Sequence, residues 1–174
     1  ERSFYQYTLV LYPAIKALGK LKDRRAVKPL IEMLKEKPRN QENAVAICEV
    51  LGSLKDQRAL PVLHRLAVKG NESERPAAIA AIGAIGAPWS REVICEVIGD
   101  KSETVRKQAA LALGKTGTGE DVPLLFKLIT NDQFNDVSRA AFAAIVCIGE
   151  GGIDFLINSY LESQDYVNGE YLNS

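Results

Sequence analysis

The sequence is poor in the side chains that usually build catalytic and metal sites. Its 174 residues include one histidine, three cysteines, one methionine and one tryptophan, and only 7% of the residues are aromatic. A single imidazole cannot complete the His and Cys sets that hold zinc. Cys48, Cys95 and Cys147 are far apart in the sequence, well beyond any metal-ligand spacing. We therefore expect three free thiols, no metal, no cofactor and no catalytic residue.

Long apolar runs are also missing. No stretch approaches the roughly 20 apolar residues that a membrane-spanning helix needs, and residues 1–12 lack the basic start and apolar core of a signal peptide. Free cysteines suit a reducing compartment. These absences predict a soluble, cytoplasmic protein that does not bind a membrane.

Net charge is zero, but the charge is unevenly spread. Residues 1–70 hold 14 Lys and Arg against 7 Asp and Glu, a formal charge of +7, whereas residues 71–174 hold 8 against 15, a formal charge of −7. Binding along a nucleic-acid backbone needs several basic residues per site, so the acidic second half disfavours nucleic acid as a partner. The opposite ends could instead attract each other in end-to-end self-association.

What the sequence does contain is a repeat. An Ala-Leu-Gly-like tripeptide closes an aliphatic run at Gly19, Gly52, Gly83 and Gly114, and Val146 takes the same position in a fifth run. The spacing is nearly constant, with a period in the low thirties. Such a period is typical of hairpins that bury their apolar faces only by stacking on their neighbours. The pattern predicts an all-α solenoid of five helical hairpins, wound as a right-handed superhelix.

Apolar residues at helical spacing divide each unit into two helices. This pattern predicts helices near residues 4–19, 25–37, 42–53, 58–69, 74–84, 90–99, 103–115, 121–131, 137–149 and 152–163. We expect the solenoid to occupy residues 1–163 and a polar tail to occupy residues 164–174.

The repeated positions have expected structural roles. Glycine accepts left-handed dihedrals, so each repeated glycine is expected to end the first helix of its unit. Asp23 with Arg25, and Asp56 with Arg58, are expected to form a ladder of hydrogen bonds and ion pairs between adjacent units. Such surface pairs contribute only about 0–1 kcal/mol each, so aliphatic stacking must hold the units together.

These residues also carry a family resemblance. Residues 14–30 read AIKALGKLKDRRAVKPL and resemble the HEAT-like repeat named after phycobilisome lyases, whose pattern is AxxALGxLxDxRAVxPL. The second unit keeps Asp56 and Arg58 of this pattern, and the fourth resembles the general HEAT signature. The resemblance covers about residues 14–157, and it departs from the pattern at Pro88-Trp89 and at Val146.

The resemblance implies an architecture and leaves the activity open. It raises two alternatives to a scaffold: a bilin lyase-like subunit acting on phycobiliproteins, and a nucleic-acid-binding module like the alkylation-repair HEAT proteins. Deoxyhypusine hydroxylases also have HEAT-like repeats, but they hold iron with His-Glu pairs. Here the single His64 is followed by Arg65, which excludes that iron site.

The expected function is a non-catalytic scaffold for another protein or a peptide. In solenoids of the type resembled, the second helices line the concave face. Superposing the units places a mixed-charge set of side chains there, and these are the candidate contacts: Lys28, Glu32, Arg65, Arg91 and Lys127. A solvated inner face with no partner is the alternative interpretation.

Two single residues have open interpretations. His64 lies on an otherwise apolar stripe and is expected to be a hydrogen-bonded packing residue. Trp89 lies in the irregular turn of the third unit. It either fills that turn or is an exposed anchor of the kind enriched at binding hot spots.

Overall fold

The computed structural model describes residues 2–36, 40–132 and 135–159, and it describes side chains from residue 10 onward. These described residues form ten α-helices and no strand: α1 (Arg2–Leu21), α2 (Val27–Lys35), α3 (Gln41–Leu54), α4 (Leu60–Lys69), α5 (Glu74–Ile85), α6 (Arg91–Val97), α7 (Glu103–Thr116), α8 (Val122–Asn131), α9 (Asp136–Ile148) and α10 (Glu150–Ser159). The predicted helix boundaries agree within two residues, except that the end predicted at residue 163 lies outside the described residues.

The helices form two layers. The first helices of the units, α1, α3, α5, α7 and α9, lie side by side, each in contact with the next. The second helices α2, α4 and α6 form the other layer, and every second helix through α8 also packs on the first helix of the following unit. The predicted all-α solenoid is confirmed.

An aliphatic core runs between the layers. Its large side chains are withdrawn from water almost completely, and burying each contributes about 1.5–3 kcal/mol. Every unit contributes at least one of them, and examples are Ile15, Leu30, Ile47, Leu63, Ile79, Ile94, Leu113, Leu125 and Ile145. Because every unit contributes to a core shared with its neighbours, the hairpins depend on stacking.

The repeated glycines permit close helix contact, and the expectation that they end the helices is wrong. Each lies two residues before its helix ends, and none has a positive φ. A Cβ added to the glycines of α3, α5 and α7 would lie 2.7–2.9 Å from the Cα of an alanine in the next first helix. Real Cβ atoms essentially never approach that closely, so these positions hold glycine because the neighbouring backbone fills the space.

The residue that follows each first helix lies three positions after the repeated glycine position. Lys22 and Lys55 have φ of 52° and 50°, and Gly86 and Gly149 have φ of 71° and 85°. Left-handed residues of this kind commonly follow the last turn of an α-helix. The residue after the first helix is therefore glycine in three units, where Gly117 of the fourth has a φ of −83°, and a strained lysine in two.

A short 3-10 turn connects the two helices of the first four units, at Arg24–Ala26, Gln57–Ala59, Pro88–Ser90 and Gly119–Asp121. In the second unit, Asp56 accepts a hydrogen bond from the Arg58 amide at 3.0 Å and from the Arg58 guanidinium at 2.8 and 2.9 Å. Asp23 and Arg25 repeat this arrangement. The expected ladder between adjacent units is wrong, because each pair closes its own turn.

The predicted boundary between residues 163 and 164 lies outside the described residues, so the tail stays a prediction. In the described ranges, no single helix has the length and apolar composition to cross a membrane. The pair α9 and α10, bent by 120°, meets those criteria only when the two helices are taken together.

Candidate protein-interaction surface

The five predicted contact residues all lie on second helices. Lys28 and Glu32 are in α2, Arg65 is in α4, Arg91 begins α6 and Lys127 is in α8. All are exposed except Arg91, which is half-buried. We call these five residues the second-helix row; their role in binding stays a prediction.

The charged groups of this row differ in how firmly they are held. Lys28 and Lys127 are exposed and make no ion pair with any residue in the described ranges. Glu32 accepts a hydrogen bond from Lys35 at 2.9 Å, with both side chains about half exposed. Because exposed pairs of this kind contribute about 0–1 kcal/mol, Glu32 can exchange its lysine for a partner's cation at little cost.

Arg65 connects two units. Its Nη2 donates to the backbone oxygen of Leu34 at 3.2 Å, in the last turn of α2. The last carbonyls of a helix have no partner within the helix, and a cation there is favoured by the helix dipole. Since a guanidinium has five N–H donors, Arg65 keeps donors for another acceptor.

Arg91 is held by a neighbouring unit. Its Nε lies 2.8 Å from both carboxylate oxygens of Asp121, and Asp121 is almost fully buried. Burial raises the pKa of Asp121, but the hydrogen bonds from Arg91 and from the Thr118 amide outweigh it and hold the pKa below its usual value. The Sγ of Cys95 lies 3.9 Å from the same carboxylate. This cluster ties α6 to the turn before α8.

Trp89 is the largest exposed aromatic side chain beside the row. It is 53% exposed, and its ring meets His64 edge to face with centroids 5.3 Å apart. The Nε2 of His64 lies 3.1 Å from the Oγ of Ser90, which is fully buried, and burial lowers the pKa of His64. His64 is thus a hydrogen-bonded packing residue, as expected, and it packs against the indole of Trp89, which keeps about half of its surface in solvent.

Trp89 also belongs to a row that superposition of the units could have found. At the same spacing as the repeated glycines lie Arg25, Arg58, Trp89 and Glu120, all exposed. We call these four residues the turn row. It changes from basic to aromatic to acidic along the solenoid. Considered alone in the sequence, Trp89 does not reveal that it replaces an arginine.

In the ranges that the structure describes, no three His, Cys, Asp or Glu side chains come together in a group that could hold a metal ion. His64 is occupied with Ser90 and has no carboxylate partner in these ranges. The exposed side chains of the second-helix row are charged, and Trp89 adds an aromatic one.

Comparison with known proteins agrees with this architecture. A family profile described as HEAT repeats matches residues 9–76 and 65–146. The search of curated proteins finds no match. HEAT repeats commonly build protein-interaction scaffolds, and the match indicates no catalytic family. The profile does not distinguish the phycobilisome-lyase subclass. Because the matched residues make up more than half of the chain and coincide with its stacked hairpins, the chain belongs to the HEAT-repeat family.

Proposed function

We propose that the chain is a non-catalytic scaffold and that its second-helix layer binds an extended segment or a helix of another protein. The observation that carries this proposal is the presentation of Trp89. Its ring is half exposed, yet it packs against His64, which is hydrogen-bonded to the buried Ser90. An aromatic side chain that is already ordered loses little conformational freedom on binding, which is why such residues are enriched at hot spots.

The charges beside Trp89 describe the partner. Lys28, Arg65 and Lys127 offer cationic groups on three different second helices, and Trp89 lies in the turn before α6, against His64 of α4. A complementary segment has an apolar residue for the indole and acidic residues on both sides of it. Arg91 supports this surface indirectly, because its ion pair with Asp121 fixes the start of α6.

Quantitative affinity capture tests the proposal. The full chain and a Trp89→Ala variant are used as baits, with Lys115→Glu as a matched control because Lys115 is exposed on a first helix. Partners that use this surface are depleted with Trp89→Ala and with Arg65→Glu/Lys127→Glu, and they are retained with the control. An unchanged bound set with both surface variants would refute this location.

The single tryptophan supplies a second measurement. Adding a captured partner should shift the emission of Trp89 to shorter wavelength as the indole leaves water. Emission that stays constant at saturating partner contradicts contact with Trp89, even if the partner binds elsewhere.

Three other experiments test the alternative functions. An absorbance change on mixing with phycocyanobilin and an apo-phycobiliprotein would establish the lyase-like alternative. A salt-dependent mobility shift with duplex DNA would establish nucleic-acid binding. Association that weakens sharply with salt in sedimentation experiments would establish end-to-end contact between copies.

A further inference from the structure

The first helix presents an apolar stripe that no other described element covers. Val10, Ala14, Ala17 and Leu21 follow one another at helical spacing, which places them on one face of α1. All four are exposed, Val10 by 64% and Leu21 by 72%. We call these four residues the α1 stripe.

The equivalent stripe is buried in the second and fourth units. Moved by one repeat, the α1 stripe becomes Asn43, Ile47, Val50 and Leu54 of α3, which are at most 5% exposed. The stripe of α7, at Val105, Ala109, Ala112 and Thr116, is at most 6% exposed. In each case the preceding first helix covers the stripe. The interior junctions therefore show what kind of surface fits the stripe.

That covering surface has a defined shape. A Cβ on Gly52 would lie 2.9 Å from Cα of Ala81, and a Cβ on Gly83 would lie 2.8 Å from Cα and Cβ of Ala112. Ala81 and Ala112 are the equivalents of Ala17. A helix that sits on the α1 stripe as closely as the helices inside the solenoid must therefore have glycine opposite Ala17.

Charge defines the flanks of the same helix. The described part of α1 from residue 10 to residue 21 contains two lysines and no acidic residue. At the first interior junction, Lys16 donates to Glu49 at 2.7 Å, and Glu49 lies three residues before Gly52. Glu49 belongs to the helix that follows α1, and residues 16 and 49 occupy the same position of the repeat. A helix on the α1 stripe that repeats this geometry has an acidic residue three positions before its glycine, where it shares Lys16 with Glu49.

A second copy of the chain meets neither requirement. Val146 holds the glycine position in α9, and its side chain is 70% exposed, so α9 cannot approach Ala17 at the interior distance. Two α1 helices facing each other would bring Lys16 and Lys20 of both copies together. Like charges at such a contact are unfavourable.

We propose that the α1 stripe is a docking face for an amphipathic helix of a partner protein, with glycine opposite Ala17 and an acidic residue three positions before that glycine. This surface lies on a first helix, so it is separate from the second-helix row and from Trp89.

The probe is a fluorescent peptide with the sequence of α3, residues 41–54, which carries Glu49 and Gly52. Cys48 is replaced by Ala, and a hydrocarbon staple joining positions 43 and 47 supplies helicity, because an isolated helix of this length is marginal in water. The staple also blocks the opposite apolar face of the peptide. Binding is measured by fluorescence anisotropy with the full chain.

The stapled peptide is expected to bind the unaltered chain saturably. Its affinity should fall at least tenfold when the peptide carries Gly52→Val, and at least tenfold when the protein carries Ala17→Glu. The matched protein control is Ala80→Glu, an exposed alanine on α5, which should bind within twofold of the unaltered chain. Circular dichroism and sedimentation confirm that each variant folds and report its oligomeric state.

Three results would overturn the proposal. They are no binding at millimolar peptide, equal binding by Ala17→Glu, or equal binding of the Gly52→Val peptide. A dimer of the unaltered chain that Ala17→Glu dissociates would assign the stripe to a second copy instead. The peptide test does not involve Trp89. A failure of the Trp89 experiments therefore leaves the α1 proposal intact, and a failure of the peptide test leaves the proposed function intact.

Discussion

The close contacts at the repeated glycines predict a graded response to alanine. In Gly114→Ala, the new Cβ would lie 2.7 Å from Cα and 2.9 Å from Cβ of Ala144. Favourable carbon contacts lie at about 3.5–4.0 Å, so α7 and α9 must separate by about 0.6–1 Å. A gap of that size forfeits a quarter to a half of the dispersion energy of the contacts it opens.

Two opposing terms set the magnitude. Overpacking of a tight interface costs about 1–3 kcal/mol, while replacing glycine by alanine inside a helix stabilises it by about 1 kcal/mol. Because the obstructing atoms of Ala144 include backbone, relief by side-chain rotation is excluded. The net effect expected for Gly114→Ala is a free energy of unfolding lowered by about 1 kcal/mol, and up to about 2 kcal/mol. Gly83→Ala should match it, since its Cβ meets Ala112 at 2.8 Å.

Gly19→Ala is the internal control. Its Cβ would meet only side-chain atoms of Val50, the nearest being Cγ2 at 2.8 Å, and a methyl group can move aside. The gain in helix propensity should then prevail, leaving stability unchanged or raised by up to about 1 kcal/mol. Gly99 has no atom within 4 Å of an added Cβ, so Gly99→Ala should lie within about 0.5 kcal/mol of the unaltered chain.

Urea unfolding followed by circular dichroism at 222 nm measures these differences, with the slope against urea checked for each variant. The decisive result is the order of the free energies of unfolding, with Gly19→Ala more stable than Gly114→Ala, and not any single value. If Gly114→Ala and Gly83→Ala were as stable as Gly19→Ala, glycine would not be there for close helix contact.

Three further predictions concern single side chains. Asp56→Asn should cost about 1–2 kcal/mol at pH 7, because hydrogen bonds from Arg58 hold the pKa of Asp56 at about 2 and solvent screens the exposed Arg58. A lowered pKa stabilises the fold above the unfolded value of about 3.9, so the difference between the two proteins in urea unfolding should shrink as the pH falls from about 4 to 2; a constant difference contradicts the ion pair. Lys55→Gly should raise stability by up to about 1 kcal/mol in the same assay, because Lys55 has φ of 50° and glycine relieves that strain; a loss would mean that the lysine side chain contributes more than the strain costs. With a chromogenic disulfide reagent, Cys147 should react first, because it is exposed, while burial raises the pKa of Cys48 to about 12 and also raises the pKa of the half-buried Cys95; a Cys48 that reacts as fast as Cys147 in the native chain would be inconsistent with this burial.

Periodicity was sufficient to predict the fold. Positions that recur once per unit have the same neighbours, so the aliphatic stripes predicted the helices, the hairpins and their stacking. Periodicity cannot say what a recurring residue touches. Gly52 lies near a helix end, where glycine commonly stops a helix, and only the distance to Ala81 shows that it accommodates a neighbouring backbone. The true helix end at Lys55 has no glycine to mark it.

The candidate surface was predictable to a similar degree. Superposition placed Lys28, Arg65 and Lys127 correctly on exposed positions of second helices. It could not predict that Arg91 pairs with Asp121, because a contact between residues in different units depends on how one unit turns against the next. For the same reason, superposition could not predict that His64 contacts Trp89.

The residue at a recurring position reports whether a helix lies against it. Position 19 and its equivalents are glycine where a following helix presses on them, and the same position holds Val146 on α9, where the side chain is 70% exposed. The position four residues earlier lies on the same side of the helix. It is fully or almost fully buried in the first four units, as Ile15, Cys48, Ile79 and Ala110, but in α9 it holds the exposed Phe142. A glycine there would give up helix propensity with no close contact to gain. By the same reasoning, the alanines of the α1 stripe keep the small size of a position that is packed, although no described helix covers them. The two faces of the solenoid therefore differ: the α1 face retains the shape of a repeat junction, and the α9 face does not.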